Sequence, residues 1–110
     1  MRTPALVVAG DQDVGRHLTT RGADWYADPY FLSPGPKCLL TSFWGKHGLG
    51  GIAGYDAVET TDESPERVEA VGRLTWAYLR SVLYPDDPSW STARTALEAM
   101  DHPPGRAECK

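Results

Sequence analysis

Residues 5–13 read Ala5-Leu6-Val7-Val8-Ala9-Gly10-Asp11-Gln12-Asp13, an apolar run that stops at a polar turn. The run is apolar at every position rather than alternating, which is typical of a strand covered by helices on both faces in a parallel sheet. The aspartates follow the end of this strand, at the sheet edge where open α/β proteins bind their ligands. The stretch therefore predicts an α/β domain with polar chemistry at one edge.

A second strand with a crossover continues this pattern. The apolar run 38–43 follows a turn at residues 33–36 and stops at Gly45. Roughly two dozen residues separate the two strands, which suffices for the crossover that parallel pairing requires. A short helix over residues 22–28 is predicted in this crossover and is expected to end before Pro29.

Two amphipathic segments are predicted to be helices, so that the expected fold is a small parallel sheet with flanking helices. A helix over residues 65–84 is predicted to begin after Ser64 as its N-cap. A weaker helix is predicted over residues 90–100, and residues 101–110 are expected to form a flexible tail after a domain of residues 1–100. The first helix has an apolar stripe that is expected to pack on the sheet: Val68, Val71, Leu74, Tyr78, Leu79 and Val82.

Composition and charge narrow the functional classes. The 110 residues suit one domain, and no apolar segment is long enough to span a membrane. The formal net charge is −4 and the arginines are scattered, which argues against a nucleic-acid partner. The N-terminus lacks a signal-peptide core, so a cytoplasmic location is expected. Cys38 and Cys109 are expected to be free thiols, and no metal or cofactor is expected, because no ligand set has metal-binding spacing.

Asp13 and His47 are the candidate catalytic residues. Each follows the carboxyl end of a predicted strand, so parallel pairing would bring both side chains to one edge. An aspartate in this position accepts the imidazole Nδ1 proton and fixes the tautomer, while the other ring nitrogen acts as a general base. Asp11 is nearer the strand and stays a rival candidate for the acid, although Asp13 is favoured.

Apolar residues around the histidine are candidate substrate contacts. Trp44, Leu49 and Ile52 lie on the glycine-rich loop that carries His47, and they are predicted to border the substrate. Glycines on both sides of His47 favour a tight, exposed loop. Other aromatic residues, including Tyr26, are expected more often in the core than in a pocket.

Several of these segments resemble one family. They are similar to the last third of α/β-hydrolase-fold proteins, above all to bacterial esterase-like members grouped with dienelactone hydrolases and chlorophyllases, over residues 4–13, 33–37, 47–51 and 65–84. In that superfamily the triad runs in the order nucleophile, acid, histidine. The resemblance implies the C-terminal portion of an α/β-hydrolase fold that acts on a small-molecule carboxylic ester, with Asp13 as the acid and His47 as the histidine.

The nucleophile of such a triad is not recognisable. No serine has glycines two positions before and after it, so none matches the Gly-x-Ser-x-Gly elbow. Three hypotheses follow. The first, which we favour, is a truncated hydrolase whose nucleophile is supplied from elsewhere. The second is a non-catalytic remnant or interaction module that forms homo-oligomers through an exposed sheet edge. In the third, Cys38 or another local group acts as a nucleophile with His47.

Overall fold

A small mixed sheet with helices against it forms the fold. The computed structural model describes residues 3–14, 22–51 and 64–110, and the statements below concern these residues. The elements occur in the order β1 (Ala5–Gly10), a 3-10 helix (Ala23–Ala27), α1 (Asp28–Phe31), β2 (Lys37–Ser42), α2 (Pro65–Leu83), α3 (Ser89–Glu98) and β3 (Gly105–Cys109). This arrangement is of the predicted α/β type.

The sheet has the strand order β1-β2-β3 and contains both kinds of pairing. β1 and β2 are parallel, so Gly10 lies opposite Ser42 at their shared carboxyl end. β3 is antiparallel to β2, with Cys109 opposite Cys38. The two predicted strands and their parallel pairing are confirmed. The predicted small parallel sheet is confirmed only in part, because residues 105–109 add an antiparallel strand.

The C-terminal segment is a strand and not the flexible tail that its composition predicts. Backbone hydrogen bonds join Lys37 and Lys110 in both directions, at 3.0 and 2.9 Å. A disulfide links Cys38 to Cys109, so the prediction of two free thiols is wrong. The two cysteines are 71 residues apart in sequence, and only the pairing of β3 with β2 brings them together.

Helical segments cover both faces of the sheet. Leu40 is buried with residues of α2 and α3, whereas Leu39 on the opposite face is buried with Ala27 and Tyr30. This explains why β1 and the centre of β2 are apolar at consecutive positions. The helical segment of the crossover continues through Pro29, which lies in the first turn of α1. The predicted helix end before Pro29 is therefore wrong, because the first turn of a helix tolerates proline.

The helix α2 agrees closely with its predicted bounds. The Ser64 hydroxyl accepts a hydrogen bond from the Arg67 amide at 3.3 Å, as expected of an N-cap. Leu79 and Val82, which were expected on the packed stripe, are instead 52% and 42% exposed because they face away from the sheet. The buried face comprises Val71, Leu74, Ala77 and Tyr78.

The helix α3 packs on α2 and is fixed at its start. The rings of Tyr78 and Trp90 meet edge to face, with centroids 5.3 Å apart. In the turn before α3, the Asp87 carboxylate accepts hydrogen bonds from the hydroxyl and amide of Ser89 and from Arg80. These bonds, that of the Ser89 hydroxyl first, lower the pKa of Asp87 to about 2. No helix in the described ranges has the length and apolarity needed to cross a membrane.

Candidate active site

Asp13 and His47 lie together beyond the carboxyl ends of β1 and β2. The Nδ1 atom of His47 is 3.0 Å from Oδ2 of Asp13. The contact suits the Nδ1–H tautomer of the ring, because an ionised carboxylate accepts hydrogen bonds and does not donate them; in that tautomer Nε2 is the unprotonated nitrogen. The prediction that these two side chains meet at one edge of the sheet is confirmed.

The two members of this pair differ in their exposure to solvent. The Asp13 side chain is only 9% exposed, whereas the His47 side chain is 80% exposed. The buried carboxylate is little screened by solvent ions, and the imidazole is accessible to a reaction partner. The ring of Tyr26 flanks the imidazole, with centroids 5.5 Å apart. In this arrangement the buried Asp13 can orient the imidazole, and the exposed ring can accept a proton from a molecule that approaches from solvent.

Close backbone contact between the two loops makes the pairing possible. The Asp11 amide donates to the carbonyl oxygen of Ser42 at 3.1 Å, and the Gln12 amide donates to that of Gly45 at 2.9 Å. A Cβ atom on Gly10 would lie 2.2 Å from the Gly45 carbonyl oxygen. Glycine is therefore required at position 10 for the loops to approach each other.

We expect Gly10→Ala to force the loops apart and to remove the hydrogen bond between Asp13 and His47. The added methyl group would overlap a backbone oxygen, so the free energy of unfolding should fall by about 2–3 kcal/mol, as in other overpacked sites. Chemical denaturation measures this loss, and the side-chain nitrogen signals of His47 in NMR spectra report the hydrogen bond.

Gly72→Ala is the matched control for this substitution. A Cβ atom on Gly72 meets no atom within 4 Å, and the residue lies in α2. Alanine is there a better helix former, so stability should rise by up to about 1 kcal/mol. If the Gly10→Ala variant kept the His47 signals of the wild type, the close approach of the two loops would not be required for the hydrogen bond between Asp13 and His47.

Asp11, the rival candidate for the acid, has a different partner. Its Oδ1 atom is 2.7 Å from the amide nitrogen of Trp44. The carboxylate thus accepts a backbone hydrogen bond, while Asp13 is the residue that contacts the imidazole. Of the two aspartates, Asp13 is therefore the one whose carboxylate contacts the His47 ring.

The predicted substrate contacts are only partly at the surface. Trp44 is 71% exposed and has a φ of 60°. Leu49 is half-buried and has a φ of 48°. Ile52 lies outside the described residues. Of the two described residues, Trp44 is the more exposed.

The N-terminus of α2 supports the loop that carries His47. The Ser64 amide donates to the Gly50 carbonyl oxygen at 2.7 Å, and Nε of Arg67 donates to the Phe43 carbonyl oxygen at 3.0 Å. Gly50 has a φ of 82°, and a Cβ atom there would lie 2.8 Å from Cβ of Arg67. The glycine-rich loop is therefore held at both ends, as its tight course requires.

Cys38 does not belong to this site. Its sulfur is bonded to Cys109, and a disulfide sulfur lacks the thiolate that a nucleophile needs. Cys38 also lies near the start of β2, roughly 13 Å from Ser42 at the rise of an extended strand. The structure contradicts the hypothesis that Cys38 acts as a nucleophile with His47.

A large groove lies in another part of the molecule. It measures about 910 Å³ between α2 and α3, and its lining is mostly apolar, with Leu74, Ala77, Ala93 and Leu97 among the residues. No residue of segments 10–13 or 43–51 lines it. The groove is therefore separate from the pair formed by Asp13 and His47.

Comparisons with known proteins add no assignment to this geometry. No protein-family model, no curated protein and no solved structure matches the chain. A functional interpretation therefore depends on the hydrogen-bonded pair of Asp13 and His47 and on the strands that position it.

Proposed function

We propose that this chain supplies the acid and the base of a serine-hydrolase triad, as the C-terminal lobe of an α/β-hydrolase-fold esterase. The observation that carries the proposal is the 3.0 Å contact between Oδ2 of Asp13 and Nδ1 of His47, beyond two adjacent parallel strands. An acid after one strand and a histidine after a later one is also the order of the triad in that superfamily.

Each residue has a defined role in the proposed reaction. Asp13 holds the imidazole as the Nδ1–H tautomer and stabilises the imidazolium that forms. Nε2 of His47 takes the proton of the attacking hydroxyl and returns it to the alcohol that leaves. The substrate is a small-molecule carboxylic ester, bordered by Trp44, Leu49 and Ile52.

The proposal requires a serine nucleophile from outside this sequence, which contains no Gly-x-Ser-x-Gly elbow. The sheet offers a place for the completing part. β1 is an edge strand, and no other strand in the described part of the chain pairs with its outer side. A further parallel strand beside β1 would extend the sheet and its carboxyl edge, where the nucleophile must lie to reach His47.

A fluorophosphonate probe, which reacts with activated serines, tests the proposal. We expect no labelling of the 110-residue chain above that of its His47→Ala variant. When the chain is extended by the sequence that precedes it in its gene, we expect one serine to be labelled, and labelling should depend on His47. His102→Ala is the matched control and should leave labelling unchanged, because His102 is an exposed residue outside the pair. A labelled serine in the isolated chain, or none in the extended protein, would contradict the proposal.

A second candidate function is self-association without catalysis, and the same edge favours it. The outer side of β1 presents backbone groups that pair readily with another strand. Under this alternative the chain forms homo-oligomers through β1 and carries no triad. Sedimentation that shows only monomer at the highest soluble concentration would contradict it.

A further inference from the structure

Trp44 has a backbone conformation that its side chain disfavours. Its φ of 60° lies in the left-handed region, which bulky residues rarely adopt. The indole is 71% exposed, so packing of the side chain does not compensate for this conformation. A backbone of this kind persists only where neighbouring contacts hold it, and such contacts are concentrated at functional sites.

Asp11 provides a contact of the required kind. Its Oδ1 atom is 2.7 Å from the Trp44 amide nitrogen, at the short end of the range for N–H···O bonds and typical of an ionised acceptor. The next residue, Gln12, donates its amide to the Gly45 carbonyl oxygen at 2.9 Å. Asp11 and Gln12, which follow β1, thus bind two consecutive residues of the loop that follows β2, Trp44 and Gly45. These two residues come shortly before His47 in the sequence.

We propose that Asp11 is a positioning residue, whose carboxylate oxygen holds Trp44 in the left-handed conformation and so directs His47 toward Asp13. The consequence of this inference for catalysis rests on the proposed function. Its consequence for the loop geometry does not, because it concerns only contacts within this chain. The two aspartates then act in different ways. Asp13 acts on the imidazole through its charge, and Asp11 acts on the backbone as a hydrogen-bond acceptor.

Two substitutions of Asp11 separate an acceptor from a charge. Asparagine keeps a side-chain oxygen for the Trp44 amide, whereas alanine has none. In Asp11→Ala we expect the Trp44 amide to exchange with solvent roughly tenfold faster, as the loss of its hydrogen bond to the Asp11 side chain implies. The His47 side-chain nitrogen signals should shift away from those of a ring bonded to Asp13. Asp11→Asn should resemble the wild type in both measurements.

Gln12→Ala is the matched control, because Gln12 is an exposed neighbour whose loop contact is made by its backbone. It should leave both signals unchanged. Trp44→Asn provides a second test, because asparagine tolerates the left-handed region. In that background the effect of Asp11→Ala on the His47 signals should be smaller than in the wild type.

The proposal is overturned if Asp11→Ala leaves the Trp44 exchange rate and the His47 signals unchanged. It is equally overturned if Asp11→Asn perturbs them as much as Asp11→Ala, or if Trp44→Asn does not reduce the effect. These readouts do not involve a nucleophile. A disturbed loop together with an unlabelled extended protein would support the positioning role and reject the hydrolase. A labelled serine in the extended protein, together with an undisturbed loop in Asp11→Ala, would support the hydrolase and reject the positioning role.

Discussion

Under the proposed function, we expect Asp13→Asn to lower kcat of the protein completed by a nucleophile by about 10⁴-fold and His47→Ala by about 10⁶-fold, the losses found when triads lose these members. The asparagine amide can donate a hydrogen bond to Nδ1, which favours the Nε2–H tautomer of His47. That tautomer has no free nitrogen for the attacking hydroxyl. KM should change little, because neither side chain is proposed to bind the ground-state ester.

Steady-state hydrolysis of a p-nitrophenyl ester measures these effects. Asp11→Asn is the matched control, since it makes the same chemical change two residues away and keeps the acceptor oxygen for the Trp44 amide. It should retain kcat within a few-fold of the wild type. Equal activity of the Asp13→Asn variant and the wild type would show that the 3.0 Å contact between Asp13 and His47 has no catalytic role.

The parallel half of the sheet was predictable from sequence because its signals are local. β1 is apolar at nearly every position, the centre of β2 is apolar as well, and each strand leads into a loop with a conformationally permissive glycine, Gly10 or Gly45. β3 was not predictable, because its short sequence after two prolines has no strand pattern of its own. Its pairing with β2 is specified by residues about 70 positions earlier, and no local window contains them.

The candidate pair was predictable for a similar reason, whereas its surroundings were not. The rule that parallel strands bring their carboxyl ends to one edge suffices to join Asp13 and His47. The choice between Asp11 and Asp13 depends on which atoms each carboxylate reaches, and this requires coordinates. The left-handed conformation of Trp44 gives no sequence signal, because left-handed positions are recognised by glycine or asparagine. The contact of Tyr26 with His47 was likewise hidden by the general preference of aromatic residues for the core.

Loss of the disulfide is expected to have the largest effect on stability. The bond joins register partners of β2 and β3, and α2 and α3 lie within the 71-residue separation that it closes. A cross-link over a loop of this length raises the free energy of unfolding by about 4 kcal/mol, chiefly because it restricts the unfolded chain. Domains of this size are stable by only about 5–15 kcal/mol, so the bond contributes a large share.

Urea denaturation of the Cys38→Ser/Cys109→Ser variant and of the wild type, each with and without reductant, measures this contribution. Reductant should lower the unfolding midpoint of the wild type. It should leave the midpoint of the double variant unchanged, because that variant has no disulfide, and the double variant thus controls for other effects of the reductant. The pair of Asp13 and His47 should persist in the folded variant, because the disulfide lies at the opposite end of β2 from their loops. Equal midpoints for the oxidised and reduced wild type would show that the disulfide does not contribute to the free energy of unfolding.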